Sequence, residues 1–131
     1  MKHALRWNGS PMDQDTTASQ DADFAVDLLR HVVVSLVRRE GIALSTQQFG
    51  VFLACYLCPE AATMRGLVQE MEMPRLIVMR ALEKLAELDL IRREPDPRDS
   101  RNQILHHTQT GQSMLADLHE VSVGVLEPVA A

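Results

Sequence analysis

The stretch that decides the fold is Arg75–Gly111, RLIVMRALEKLAELDLIRREPDPRDSRNQILHHTQTG. Its first half places Val78, Leu82 and Leu85 at helical spacing on one face, and Pro74, just before it, suits a first helical turn. This helix is expected to run to about Leu88, with Asp89 at the left-handed position that often closes a helix. Arg92–Glu94 and Gln103–Thr108 then read as two strands around a tip, Pro95–Ser100, in which two prolines within three residues make a loop. Thr108 caps a new helix. Seven of the thirteen Lys and Arg residues lie in Arg75–Arg101, and none follows Arg101. A basic helix beside a hairpin with a basic tip is the geometry of a winged helix-turn-helix. In that geometry the helix suits a major groove, and the wing reaches phosphates or the neighbouring minor groove. Double-stranded DNA is therefore the expected partner.

Working outward, Ser45-Thr46-Gln47-Gln48 is a capping-box pattern. It opens a helix carrying Phe49, Phe52, Leu53, Tyr56 and Leu57 that Pro59 stops, and a short helix over about Thr63–Met71 follows. Upstream, a helix starts near Asp21–Asp23, whose charge suits a helix N-terminus. Phe24, Leu28, Val32 and Leu36 form one apolar row, and Leu29, Val33 and Val37 form a second beside it; Gly41 ends the run. So wide an apolar face predicts burial against a second copy of the chain. The final helix carries Met114, Leu115, Leu118, Val121 and Val125 and ends at Pro128. The fold class expected is mainly α with a small β-hairpin wing. Residues 1–20 read as a flexible tail, and residues 21–131 read as one winged-helix domain. Within that domain, dimerisation helices at about 21–40 and 109–127 flank a DNA-binding core at about 45–108.

Composition narrows the function. Aromatics are only 4% of the chain, so the core must be built from Leu, Val, Met and Ala. No apolar run is long enough to span a membrane, and Met1–Asp15 lacks the apolar centre of a secretory signal, so a cytoplasmic protein is expected. The net charge of −5 disfavours indiscriminate polyanion binding, but Arg75–Arg101, with seven basic and six acidic side chains, is net +1, and acids concentrate near the start at Asp13, Asp15, Asp21, Asp23 and Asp27. Local patches govern docking, so DNA affinity is expected to depend steeply on salt.

Over roughly residues 21–127 the chain resembles the MarR family of bacterial transcriptional regulators. The residues that carry the resemblance are Leu44-Ser45-Thr46-Gln47-Gln48-Phe49, Arg80-Ala81-Leu82-Glu83-Lys84-Leu85, Leu90-Ile91-Arg92-Arg93, the wing Asp96-Pro97-Arg98-Asp99-Ser100-Arg101 and Thr108-Gln109-Thr110-Gly111. The resemblance implies a homodimer held by the first and last helices, with a recognition helix and a wing on each subunit. Arg75, Leu76, Met79, Arg80, Lys84, Arg98 and Arg101 are the implied DNA-contacting residues, with Arg80 and Lys84 near phosphates. Asp99 and Glu83 are the implied wing-positioning residues, Glu83 through an ion pair to Arg101. Family members usually carry small polar residues at the first turn of this helix, where the present chain has Leu76, Ile77 and Met79. Apolar side chains can touch a thymine methyl but make no bidentate contacts. Either an A·T-biased readout or a protein-binding surface follows, and a winged-helix interaction module is the alternative to a DNA-binding repressor.

Other chemistry is weakly signalled. Cys55 and Cys58 form a CxxC near the end of an apolar helix, where the helix dipole opposes a thiolate. Two core thiols are expected, with peroxide sensing as the other reading. His106 and His107 point to opposite faces of a strand, and no second CxxC completes a zinc site, so no metal is expected. Nothing resembles a catalytic triad or a phosphate loop, so neither an enzyme nor a cofactor is expected. A small-molecule effector is compatible with the resemblance.

Overall fold

The computed structural model describes residues 16–39 and 42–127. Its elements run α1 (Thr16–Arg38), α2 (Thr46–Leu57), a 3-10 turn (Pro59–Ala62), α3 (Met64–Met71), α4 (Arg75–Glu87), β1 (Ile91–Asp96), β2 (Asp99–His107) and α5 (Gln109–Leu126). This is the expected order and the expected class, mostly helical with a two-stranded antiparallel hairpin. One boundary moves. Helix α1 already includes Thr16–Gln20, read as tail; nothing in TTASQ breaks a helix. Residues 1–15 of that tail, and Gly41 and Pro128 as helix stops, lie outside the described residues.

Local signals set most of the remaining ends. Ser45 caps α2 as the sequence requires: its Oγ accepts from Gln48 N at 3.1 Å, and Gln48 Oε1 accepts from Ser45 N at 2.9 Å. Thr63 and Thr108 cap α3 and α5 by accepting from Gly66 N and Gly111 N. Helix α4 ends in a Schellman motif. Asp89 takes φ 59, Asp89 N donates to Ala86 O at 3.0 Å, and Leu90 N donates to Leu85 O at 2.8 Å. Leu85 and Leu90, the apolar pair that accompanies this motif, are both fully buried.

The core is aliphatic, as the scarcity of aromatics demands. Phe52 is the one aromatic among its largest buried side chains, surrounded by Val51, Met64, Leu67, Val78, Leu82, Leu85, Leu90 and Met114. Helix α5 enters against α2 at Gly111, where any Cβ would collide with the Tyr56 hydroxyl and the Leu90 carbonyl. The Tyr56 hydroxyl donates to Leu90 O at 2.6 Å and accepts from Thr108 N at 3.2 Å, tying α2, α4 and the α5 cap together. Beyond this junction α5 packs on α1, with Leu36, Met114 and Leu118 buried and an Arg39–Asp117 ion pair alongside. The second apolar row of α1 stays uncovered: Leu29, Val33 and Val37 are exposed, as are Phe24 at the start of the first row and Val123 and Leu126 of α5.

The wing differs from the expected strand–loop–strand. Pro95, Asp96, Asp99 and Ser100 lie in the strands, and only Pro97 and Arg98 form the turn. The regular register, Ile91 opposite His107 through Pro95 opposite Gln103, jumps to Asp96 opposite Asp99. Ser100, Arg101 and Asn102 therefore bulge out of the second strand. Prolines are tolerated because a two-stranded sheet has only edges, where a missing N–H need not break the ladder.

Candidate nucleic-acid interface

The left-handed Glu72 ends α3 at φ 51, and Met73-Pro74 turns the chain into α4. On α4, Val78, Ala81, Leu82 and Leu85 are buried. The opposite side presents Leu76, Arg80, Glu83 and Glu87 to solvent, and Ile77 and Met79 lie half-buried at its edges. Of the three apolar residues at the first turns, Leu76 alone is exposed, at 51%. A single leucine is no hydrophobic docking face, which removes the basis for a protein-binding surface formed by all three.

The wing is fastened to this helix pair by polar contacts at its root. Asn102, only 5% exposed, accepts through Oδ1 from Arg65 N at 3.1 Å and from Gln103 N at 3.0 Å. Arg65 is the second residue of α3, so its N–H is one of the donors a helix start leaves without an internal partner. Thr63, the cap before α3, satisfies one such donor, Gly66 N, and the wing satisfies another. The Arg65 guanidinium pairs with Asp99 Oδ2 at 2.7 Å, and Asp99 Oδ1 accepts from Arg101 N at 3.0 Å. The Arg65 guanidinium, with help from the Arg101 N–H, holds the Asp99 carboxyl below its ordinary pKa. Arg75 Nη2 donates to Arg101 O at 3.1 Å, bridging the start of α4 to the bulge. At the tip, Asp96 Oδ1 accepts from Arg98 N at 2.9 Å.

These contacts gather Arg65, Arg75, Arg98 and Arg101 at one end of the molecule. Two residues placed in this site by sequence take no part in these wing contacts. Arg80 lines a small groove with Ser45, Gln47 and Gln48 at the start of α2. Lys84 lies 3.6 Å from Glu87 and lines a different cleft. Among the described residues no ion pair joins Glu83 to Arg101. The acidic partner at the wing is Asp99, through the Arg101 backbone, because the bulge turns that N–H toward its carboxylate. The sequence reading missed Arg65 and Asn102. Arg65 lies outside the dense basic stretch, and only the fold brings α3 against the wing.

The other candidates resolve into structure. Burial, reinforced by Cys58, pushes the Cys55 thiol up to about 12. Burial, and then the nearby Glu70, also raises the Cys58 thiol. Both cysteines are free, and neither is primed as a thiolate, which leaves the peroxide-sensing reading without chemical support. The His107 ring stacks on Tyr56 with centroids 4.0 Å apart, its Nε2 lying 2.8 Å from Cys55 O. His106 faces Glu94 at 2.8 Å. Among the described residues no group of three His, Cys, Asp or Glu side chains stands close enough to hold a metal ion, and no helix is long and apolar enough to cross a membrane. A cleft of about 680 Å³ lies between α1, the segment before α2 and the end of α4. Val33, Leu36, Phe49 and Leu88 give it an apolar lining, and Arg39, paired with Asp117, and Lys84, beside Glu87, also line it.

The comparisons with known proteins agree with this geometry. A profile of the MarR family matches residues 44–102, from the residue before the α2 cap to the wing asparagine. Among curated proteins no relative matches the chain. Among solved structures, a MepR variant from S. aureus bound to an oligodeoxyribonucleotide superposes with a TM-score of 0.68 at 14% identity, covering 86% of this chain and 80% of its own. Sco3205, a MarR family transcriptional regulator from Streptomyces coelicolor in complex with DNA, gives 0.58 at 21% identity, covering 92% and 74%. BpsR from Bordetella bronchiseptica, whose DNA binding is described as regulated by 6-hydroxynicotinic acid, gives 0.54 at 18% identity, covering 82% and 81%. The chain is thus similar to the MarR family over residues 44–102 and shares the winged-helix fold of these structures.

Proposed function

We propose that this protein is a sequence-specific DNA-binding transcriptional regulator of the bacterial cytoplasm that acts as a homodimeric repressor. Helix α4 enters the major groove and the wing reaches the adjacent minor groove. The observation that carries the reading is the fastening of the wing. Asn102, the Arg65–Asp99 pair and the Arg75–Arg101 bond hold the basic hairpin against the starts of α3 and α4 before any ligand arrives. A preordered wing avoids an ordering cost on binding. The solved DNA complexes of similar fold support the same use of this surface.

The uncovered residues Phe24, Leu29, Val33 and Val37, continued by Val123 and Leu126, support the dimer, because they form a larger apolar stripe than a small monomer ordinarily leaves in water. The described regulation of BpsR by a small acid supports an effector here as well. The cleft, with its apolar lining, suits a small, largely apolar ligand.

The test is selection of duplexes from a random-core library, followed by titration of the winner and a scrambled duplex at several salt concentrations. Preference for the winner and a steep negative salt slope are expected. Equal, salt-insensitive binding of both would refute the reading. Leu29→Glu, at an exposed position, should leave folding intact, yield the 14.7 kDa monomer in sedimentation and abolish tight binding. A dimer that survives this change would place the interface elsewhere.

A further inference from the structure

We infer that Leu76 is a specificity-determining residue that reads the C5-methyl group of thymine in the major groove. The inference rests on the DNA-binding reading above. Leu76 is the exposed apolar residue of α4, while Val78, Leu82 and Leu85 are fully buried on the opposite side. It contributes nothing to that core, yet it stands at the leading turn of the helix.

Its immediate neighbours are less suited to contact a methyl group. Pro74 has no N–H to offer. Arg75 is turned toward the wing, where its Nη2 donates to the Arg101 carbonyl at 3.1 Å. Ile77 and Met79 are half-buried and apolar. The same helix face turns acidic farther on, at Glu83 and Glu87, both exposed. Phosphates repel that end, so α4 meets a duplex by its first two turns, with Leu76 in front and Arg80 one turn behind. Of the groups that base pairs present in the major groove, the thymine methyl is the apolar one. A leucine pressed against the polar edge of a G·C pair would instead strip water from donors and acceptors without replacing it.

Deoxyuridine lacks only this methyl, which makes the test specific. The duplex selected from the random-core library is compared with versions carrying deoxyuridine in place of thymidine at single positions, using the whole wild-type chain and Leu76→Ala. Burial of one methyl-sized group predicts about fourfold weaker wild-type binding at one or two thymines of each half-site. Leu76→Ala should bind the thymidine and deoxyuridine duplexes equally, with an unchanged melting temperature because the side chain is exposed. If no deoxyuridine substitution weakens the wild type, or if the penalty persists in Leu76→Ala, the inference is wrong although the protein binds DNA. If the wild type selects no duplex at all, the DNA-binding reading fails and this inference falls with it.

Discussion

Replacing Asn102 with alanine tests the attachment of the wing most directly. One buried amide oxygen accepts two backbone N–H groups, from Arg65 at 3.1 Å and Gln103 at 3.0 Å. Alanine removes the acceptor and leaves both donors in place. The Arg65 donor belongs to the first turn of α3 and has no partner within the helix. A satisfied hydrogen bond contributes about 1 kcal/mol net, and a buried donor left unsatisfied costs roughly 1–3 kcal/mol. Water reaches part of the site, since Arg65 is exposed, so the expected loss is about 2 kcal/mol, near the middle of that range. Urea unfolding should show this loss as a lower midpoint with an unchanged slope. Duplex affinity under folding conditions should also fall, with a shallower salt slope, because Arg98 and Arg101 then ride on a loosened hairpin. Asn102→Asp keeps the oxygen and adds negative charge at the start of α3, which the helix dipole favours, so it should recover much of the affinity. An Asn102→Ala protein as stable as wild type, binding with the same affinity and salt slope, would refute the idea that this residue anchors the wing.

Three further outcomes follow from the same geometry. Arg80→Ala should weaken binding to all duplexes about equally and lower the salt slope by roughly one, whereas Arg101→Ala should cost about 1–3 kcal/mol on the selected duplex and flatten preference at one position; titration of both against selected and scrambled duplexes separates the roles. Lys84→Ala, whose ammonium lies beside Glu87 and lines the cleft, should leave the slope unchanged. Because Arg65 lowers the Asp99 pKa, the pair's contribution is present above the ordinary aspartate value of 3.8 and is lost as pH falls through the lower folded value. The Arg65–Asp99 contact, followed by NMR, should thus be constant through the neutral range and break only in acid, whereas Asp99→Asn should lack it at every pH. With the Cys55 thiol pushed up to about 12, peroxide should not release the protein from DNA, and Cys55→Ala with Cys58→Ala should leave affinity unchanged in the same titration with and without peroxide.

By itself the sequence determined what depends on neighbours a few residues apart. The Ser45–Gln48 capping box, the Thr108 cap, the left-handed Asp89 and the Val78–Leu82–Leu85 face are all local devices, and each forms where the chain places it. Together with the basic bias of Arg75–Arg101 they made the winged-helix order legible. The same locality exposed the cysteines as core residues, since a CxxC at the end of an apolar helix has nothing nearby to stabilise a thiolate. Only the tertiary structure decided which long-range partners complete the site. Proline content at the tip suggested a long loop, but cross-strand pairing extended the strands to Asp96 and Asp99 and concentrated the irregularity in a bulge at Ser100–Asn102. The resemblance implied both Glu83, through an ion pair to Arg101, and Asp99 as wing-positioning residues; only the fold supplies Arg65 from another helix as the partner of Asp99. Arg65 and Asn102 are 37 residues apart, and no periodicity links them. Their bond exists because core burial of Met64 and Leu67 brings α3 against the hairpin, and an unpaired helix N–H and a buried amide oxygen meet where packing has already placed them.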